Sequence, residues 1–146
     1  PVIDRGCCGS AEGVARGAYI LCDSEGTPDV LLIATGSEVH VAMAAADLLK
    51  LENIKARVIS APCLEWFAEQ DESYKNAVLP PSVKARVSIE AGIAMGWREW
   101  IGDAGIAVSL DHYGASASAG ILFKEFGFTA ENIVLAAKNS LKKAGK

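Results

Sequence analysis

Three stretches hold residue types that could do chemistry. The first is Thr35-Gly36-Ser37-Glu38, between an apolar run and an alanine-rich run. A strand, a glycine turn and a helix can cradle a phosphate, because the first N–H groups of a helix have no partner within it. A dinucleotide fingerprint needs three glycines at fixed spacing, and a P-loop needs a lysine. This turn has one glycine and no lysine. A plain turn accounts for it: Gly36 takes the tight bend, Ser37 caps the helix, and Glu38 complements the positive end of the dipole. Glu38 would also repel an incoming phosphate. The alternative is a small regulatory anion at Thr35, Gly36, Ser37 and Glu38, near Glu90.

The second stretch runs from Asp111 to Ser118 (DHYGASAS) and holds an acid, a His and two Ser. A hydrolase elbow reads G-x-S-x-G, and Ser118 stands where its second glycine belongs. Adjacent Asp and His point apart on most backbones, which disfavours a relay between them. Small residues that let a loop pass close to another surface, with Ser116 or Ser118 as a cap, fit better. The third stretch is Glu90-Ala91-Gly92, followed by Gly96-Trp97-Arg98-Glu99-Trp100. A carboxylate at the carboxyl end of a strand can be functional, since open α/β sheets bind ligands there. Trp97 and Trp100, three apart, are expected on one helix face, either filling core or meeting another domain. His40 and His112 lack metal-ligand spacing. No stretch supplies an activated nucleophile, a metal cluster or a cofactor cradle.

The elements that must carry these residues alternate. Gly17 to Cys22 and Val30 to Ala34 read as strands joined by a turn-rich link, DSEGTP, too short for a crossover helix. They are therefore expected as antiparallel neighbours. The run VLLIA has no polar alternation, as a central strand covered on both faces requires. Glu38 to Leu51 reads as a helix with Val41, Ala44, Ala45 and Leu48 on its buried stripe. Lys55 to Ser60 is the third strand. Short helices carrying Trp66, Phe67, Tyr74 and Val78 follow, and Pro80-Pro81 ends them. Val83 to Ile89 alternates as a fourth strand, Ile93 to Ile101 reads as helix, and Gly105 to Leu110 is the fifth strand. Ser118 to Phe126 and Ala130 to Lys143 close the chain as helices. Thr129 caps the last, whose stripe is Ile133, Val134, Ala137 and Leu141. The fold expected is a three-layer α/β/α unit, its five-stranded sheet mostly parallel with one antiparallel strand.

Composition narrows the function classes. The chain has 146 residues, 51% of them hydrophobic, and a net charge of −4. That suits one folded domain with a real core, and it disfavours nucleic acid as a partner. The one basic cluster, Lys138, Lys142, Lys143 and Lys146, complements the end of the last helix. No run approaches the ~20 apolar residues of a membrane span, and no targeting segment is visible. Pro1 stands where an initiator Met is absent, which fits Met removal or a piece of a longer chain. The four cysteines, Cys7, Cys8, Cys22 and Cys63, follow no zinc or disulfide pattern. Reduced thiols are expected, with Cys22 and Cys63 as small core residues.

Read together, several strings resemble the C-terminal domain of transketolase. They are GSAEGVARGAYIL, PDVLLIATGSEVHVAMAAADLL, KARVISAPCLEWFAEQ, YKNAVLP, ARVSIEAGIAMGWREWIG and DHYGASASAGILFKEFGFTAENI, in order along nearly the whole chain. One departure is Ser118, where that family carries Pro. The resemblance implies one domain over residues 1–146, with residues 1–16 as a lead-in from a preceding domain. It further implies a parent that moves a two-carbon ketol unit between sugar phosphates with thiamine diphosphate and Mg2+ (or Ca2+). That parent is implied to be a homodimer in the cytoplasm or a plastid. Its cofactor, metal and sugar-phosphate residues are implied to lie upstream. No catalytic, cofactor-binding or metal residue therefore carries over to this chain. Trp97, Trp100, His112, Tyr113, Gly114 and Ser116 are the expected contacts with neighbouring domains.

Overall fold

A computed structural model describes residues 3, 6, 8–110 and 117–146. Its strands are β1 (Tyr19–Cys22), β2 (Val30–Ala34), β3 (Ala56–Ser60), β4 (Arg86–Ile89) and β5 (Ile106–Val108). Its helices are α1 (Glu38–Leu51), α2 (Leu64–Ala68), α3 (Glu72–Val78), α4 (Arg98–Ile101), α5 (Ala119–Glu125) and α6 (Ala130–Lys143). Two 3-10 turns, Ala11–Arg16 and Ala94–Trp97, precede β1 and α4. The strands lie in the order β1-β3-β2-β4-β5, and only the β1–β3 pair is antiparallel. The expected architecture is met.

The central strand is the one without alternation. Every residue of β2 is buried, because each face of the sheet carries its own core. On one face Leu32, Val58, Val87 and Ile89 pack with Ala42, Ala45 and Leu49 of α1 and Ile133 and Ala137 of α6. On the other, Leu31, Ile33 and Ile59 pack with Phe67, Val78, Trp97 and Ile101. The α6 stripe and the Thr129 cap stand as predicted, the threonine side chain accepting from the N–H of Asn132. Ser140 of α6 is wholly buried; its hydroxyl donates to Ala104 O at 2.7 Å and accepts from Arg86 N–H at 2.9 Å. This polar peg fixes α6 over the start of β4.

Four local expectations are corrected. First, β1 does not neighbour β2, because β3 lies between them. Residues 23–29 can reach across, since extended chain spans about 3.3 Å per residue and two strand spacings need only ~10 Å. Arg57 of β3 holds the link in place, donating to both carboxylate oxygens of Asp23 at 2.8 and 3.0 Å. Second, α1 is rotated: Val39, Ala42, Ala45 and Leu49 are buried, while Ala44 is exposed. Val41 to Ala46 is apolar all round, so spacing alone did not set the phase. Third, the alternation of β4 fails at Ser88, which is 1% exposed because a helical layer covers that face too. Fourth, the helix expected over Ile93 to Ile101 begins as a 3-10 turn containing Gly96 and becomes α-helical only at Arg98. Glycine lowers helix propensity.

Candidate functional site

The crossovers leave β2 and β4 in opposite directions, toward β3 and β5 respectively. Between two such strands an α/β sheet opens a crevice at their carboxyl ends. Thr35, Gly36, Ser37 and Glu38 line one side of it, and Glu90 starts the other. Short bonds connect the two sides. Thr35 N–H donates to Ile89 O at 3.4 Å, and Ala91 N–H donates to Glu38 Oε1 at 3.1 Å. Gly36 has φ +58°, the left-handed bend expected of it. Ser37 does not cap as predicted. It is already in a helical conformation, and its hydroxyl donates to Glu38 Oε2 at 3.2 Å instead of accepting an N–H.

Glu38 is only 6% exposed, and the chain's own donors occupy both of its oxygens. Glu90 is engaged as well, since Trp97 Nε1–H donates to its Oε2 at 2.7 Å. The expected residues thus meet in space, but as two carboxylates drawing in neighbouring N–H and O–H groups. Such a crevice opposes an anion.

Trp97 is 3% exposed and belongs to the second core. Its indole N–H needs an acceptor once buried, and Glu90 supplies it. Trp100 lies half-buried against Phe67, ring centroids 5.2 Å apart. Of the two, Trp100 keeps the more open face. Nearby, Ile93 and Met95 are the exposed apolar side chains. His112, Tyr113, Gly114 and Ser116 lie outside the described residues. Ser118 holds the N-cap position of α5 without a side-chain cap bond.

A concavity of about 930 Å³ lies near the amino-terminal end of β4, among Lys84, Arg86, Trp100, Asp103 and Lys143. Sequence reasoning passed over Arg86, whose guanidinium donates to Trp100 O at 2.6 Å, Val83 O at 3.0 Å and Pro80 O at 3.1 Å. Burial lowers its pKa from the ordinary arginine value. The Val83 and Pro80 carbonyls stand just before Arg86 in the chain, while the Trp100 carbonyl comes from α4, which no local pattern announces. Tyr74 packs under the Arg16 guanidinium, 4.4 Å from its ring centre, and donates to Ala18 O at 2.9 Å. Desolvation raises its phenol pKa, opposed by the charge of Arg16. The Lys55 N–H bond at 3.0 Å, helped by Lys146, lowers the pKa of Asp29 against the effect of burial.

Among the described residues no group of three or more His, Cys, Asp or Glu could hold a metal ion. With both oxygens of Glu38 and one of Glu90 engaged by the chain's own donors, the described residues at the switch point do not fit a diphosphate. No described helix is long and apolar enough to cross a membrane.

Residues 17–129 match the family model described as the transketolase-like TK C-terminal domain. The chain is 53% identical over 146 residues to a transketolase of Mycobacterium tuberculosis, covering 97% of this chain and 20% of that protein. Transketolase from Leishmania mexicana superposes with a TM-score of 0.84 at 38% identity, covering 92% of this chain and 19% of the other. A Pichia stipitis transketolase complexed with sedoheptulose-7-phosphate gives 0.84 at 35% identity, covering 96% and 20%. The chain spans about a fifth of the length of the relatives it matches.

Proposed function

The chain belongs to the transketolase family, as its C-terminal domain, and from that premise we propose a supporting, non-catalytic role within a larger enzyme. The observation that carries this reading is the match itself: 97% of this chain aligns with 20% of a transketolase. On this reading the coenzyme site belongs to the remaining four-fifths of such a protein.

The parent, on this reading, transfers a two-carbon ketol unit between ketose and aldose phosphates. A bound sedoheptulose-7-phosphate in the P. stipitis relative agrees with that substrate class. Thiamine diphosphate with Mg2+ or Ca2+ would supply the carbanion chemistry from the upstream domains. The partners are those domains and a second copy of the parent, in the cytoplasm or a plastid. This chain contributes a rigid carboxyl edge. Glu38 clamps the β2 turn to Ala91, and Glu90 accepts the indole N–H of Trp97. Trp100, His112, Tyr113, Gly114 and Ser116 are the residues this reading assigns to contacts with neighbouring domains. The two carboxylates weigh against the regulatory-anion alternative.

Calorimetry of the 146-residue chain with sugar phosphates, inorganic phosphate and nucleotides tests the assignment. Absence of saturable heat, with dimer stability restored on rejoining the upstream domains, is the expected result. Saturable micromolar binding to the lone chain would transfer the crevice to a ligand-binding role.

A further inference from the structure

Cys8 and Cys22 lie on either side of the 3-10 turn Ala11–Arg16, and their Sγ atoms are 3.3 Å apart. Two local features bring them together. Gly9 N–H donates to Leu21 O at 2.7 Å, laying the incoming chain along the outer strand β1. Only glycine permits that approach, because a Cβ at Gly9 would collide with the carbonyl oxygen of Ile20.

The second feature is an irregularity in β1. Ile20 faces Ile59 and Cys22 faces Val58, so β1 advances two residues while β3 advances one. A bulge of this kind re-aims the side chain that follows it. Strict alternation would put Cys22 on the face of Ile20, which packs with the second core. Instead Cys22 packs with the first core, as Leu21 and Cys8 do. Both thiols are half-buried, with part of their surface open to solvent.

We propose that Cys8 and Cys22 form a redox dithiol, closing reversibly into an intramolecular disulfide with a small-molecule disulfide of the glutathione type as electron acceptor. One thiolate attacks the acceptor, breaking its S–S bond and releasing one thiol. The second thiolate then attacks the mixed disulfide, forming the Cys8–Cys22 bond and releasing the other thiol. The two cysteines lose two electrons and two protons, and both end on the acceptor's thiols. The bridge ties the chain before the turn to the outermost strand, and so fixes how the polypeptide enters the domain. It uses none of the residues assigned above to the crevice.

The test equilibrates the 146-residue chain at fixed ratios of oxidised to reduced glutathione, traps thiols with a maleimide and reads intact mass. Two thiols are expected to become protected without a glutathione adduct in the parent, Cys7→Ser and Cys63→Ser chains. Protection should vanish in Cys8→Ser and Cys22→Ser, with far-UV circular dichroism confirming that each folds. The parent in guanidinium is the second arm and needs no variant. Because folding holds the thiols together, the native chain should close at a ratio about tenfold more reducing than the unfolded chain. Closure at the same ratio in both states overturns the proposal. So does a bridge that survives Cys22→Ser, which would place it among Cys7, Cys8 and Cys63.

Discussion

Replacing Glu38 separates its structural role from any ligand role. In Glu38→Gln the neutral side chain can still accept from Ala91 N–H but loses charge. A hydrogen bond to a charged group contributes about 1.5–3 kcal/mol and a neutral one about 0.5–1.5. The first-turn charge adds about 0.3–1 kcal/mol through the helix dipole. At the lower ends of these ranges, which suit a site beside exposed backbone, Glu38→Gln should therefore cost about 1.3 kcal/mol. Glu38→Ala loses the bond altogether, but Ala91 is exposed and its N–H regains water, so the cost should be nearer ~2 kcal/mol. With a urea m-value of about 2 kcal/mol/M, the midpoints fall by about 0.6 M and about 1 M respectively. Equilibrium urea unfolding followed by tryptophan fluorescence reads both. Midpoints for both variants within about 0.2 M of the parent would refute the claim that this carboxylate joins β2 to β4.

Two further outcomes follow from the backbone and from Asp29. Gly17→Ala puts a Cβ against Cys63 O and Phe67 N at φ +82°, whereas Gly102→Ala at φ +66° meets nothing within 4 Å. Thermal melts should show a loss of about 1–2 kcal/mol for Gly102→Ala and a clearly larger loss, or no folded protein, for Gly17→Ala; equal losses would contradict the packing. For Asp29 the folded pKa is depressed by the Lys55 N–H. Its contribution is therefore present above the unfolded value of roughly 3.9 and is lost as pH falls below it through the folded value. Asp29→Asn should lower stability at neutral pH and flatten the acid limb below about pH 4. An unchanged acid limb in the variant would exclude that role.

Much of the fold was legible because each sheet layer imposes a pattern. Five unalternating residues in β2 marked the centre, and the spacing of Ile133, Val134, Ala137 and Leu141 marked the buried side of α6. The position of β1 was not legible. A short link fixes relative direction but not whether another strand, supplied later in the chain, slips between. The phase of α1 was hidden by a helix apolar on every side, and the burial of Ser88 by a helical layer contributed from distant sequence.

The crevice was legible as a place and only partly as a set of bonds. Thr35 to Glu38 and Glu90 follow strands that the topology sets side by side, so strand-end reasoning found them. That Ser37 serves Glu38 instead of capping α1 depends on one dihedral, and the Glu90–Trp97 bond depends on how the 3-10 turn folds back. The Arg86–Trp100 bond and the Cys8–Cys22 contact join segments that no local spacing relates.

The most direct measurement is ketol transfer from a ketose phosphate to an aldose phosphate by the purified 146-residue chain, with thiamine diphosphate and Mg2+ present, beside the same chain joined to its upstream domains. Turnover only in the joined protein is the predicted result. Turnover by this chain alone would contradict the account.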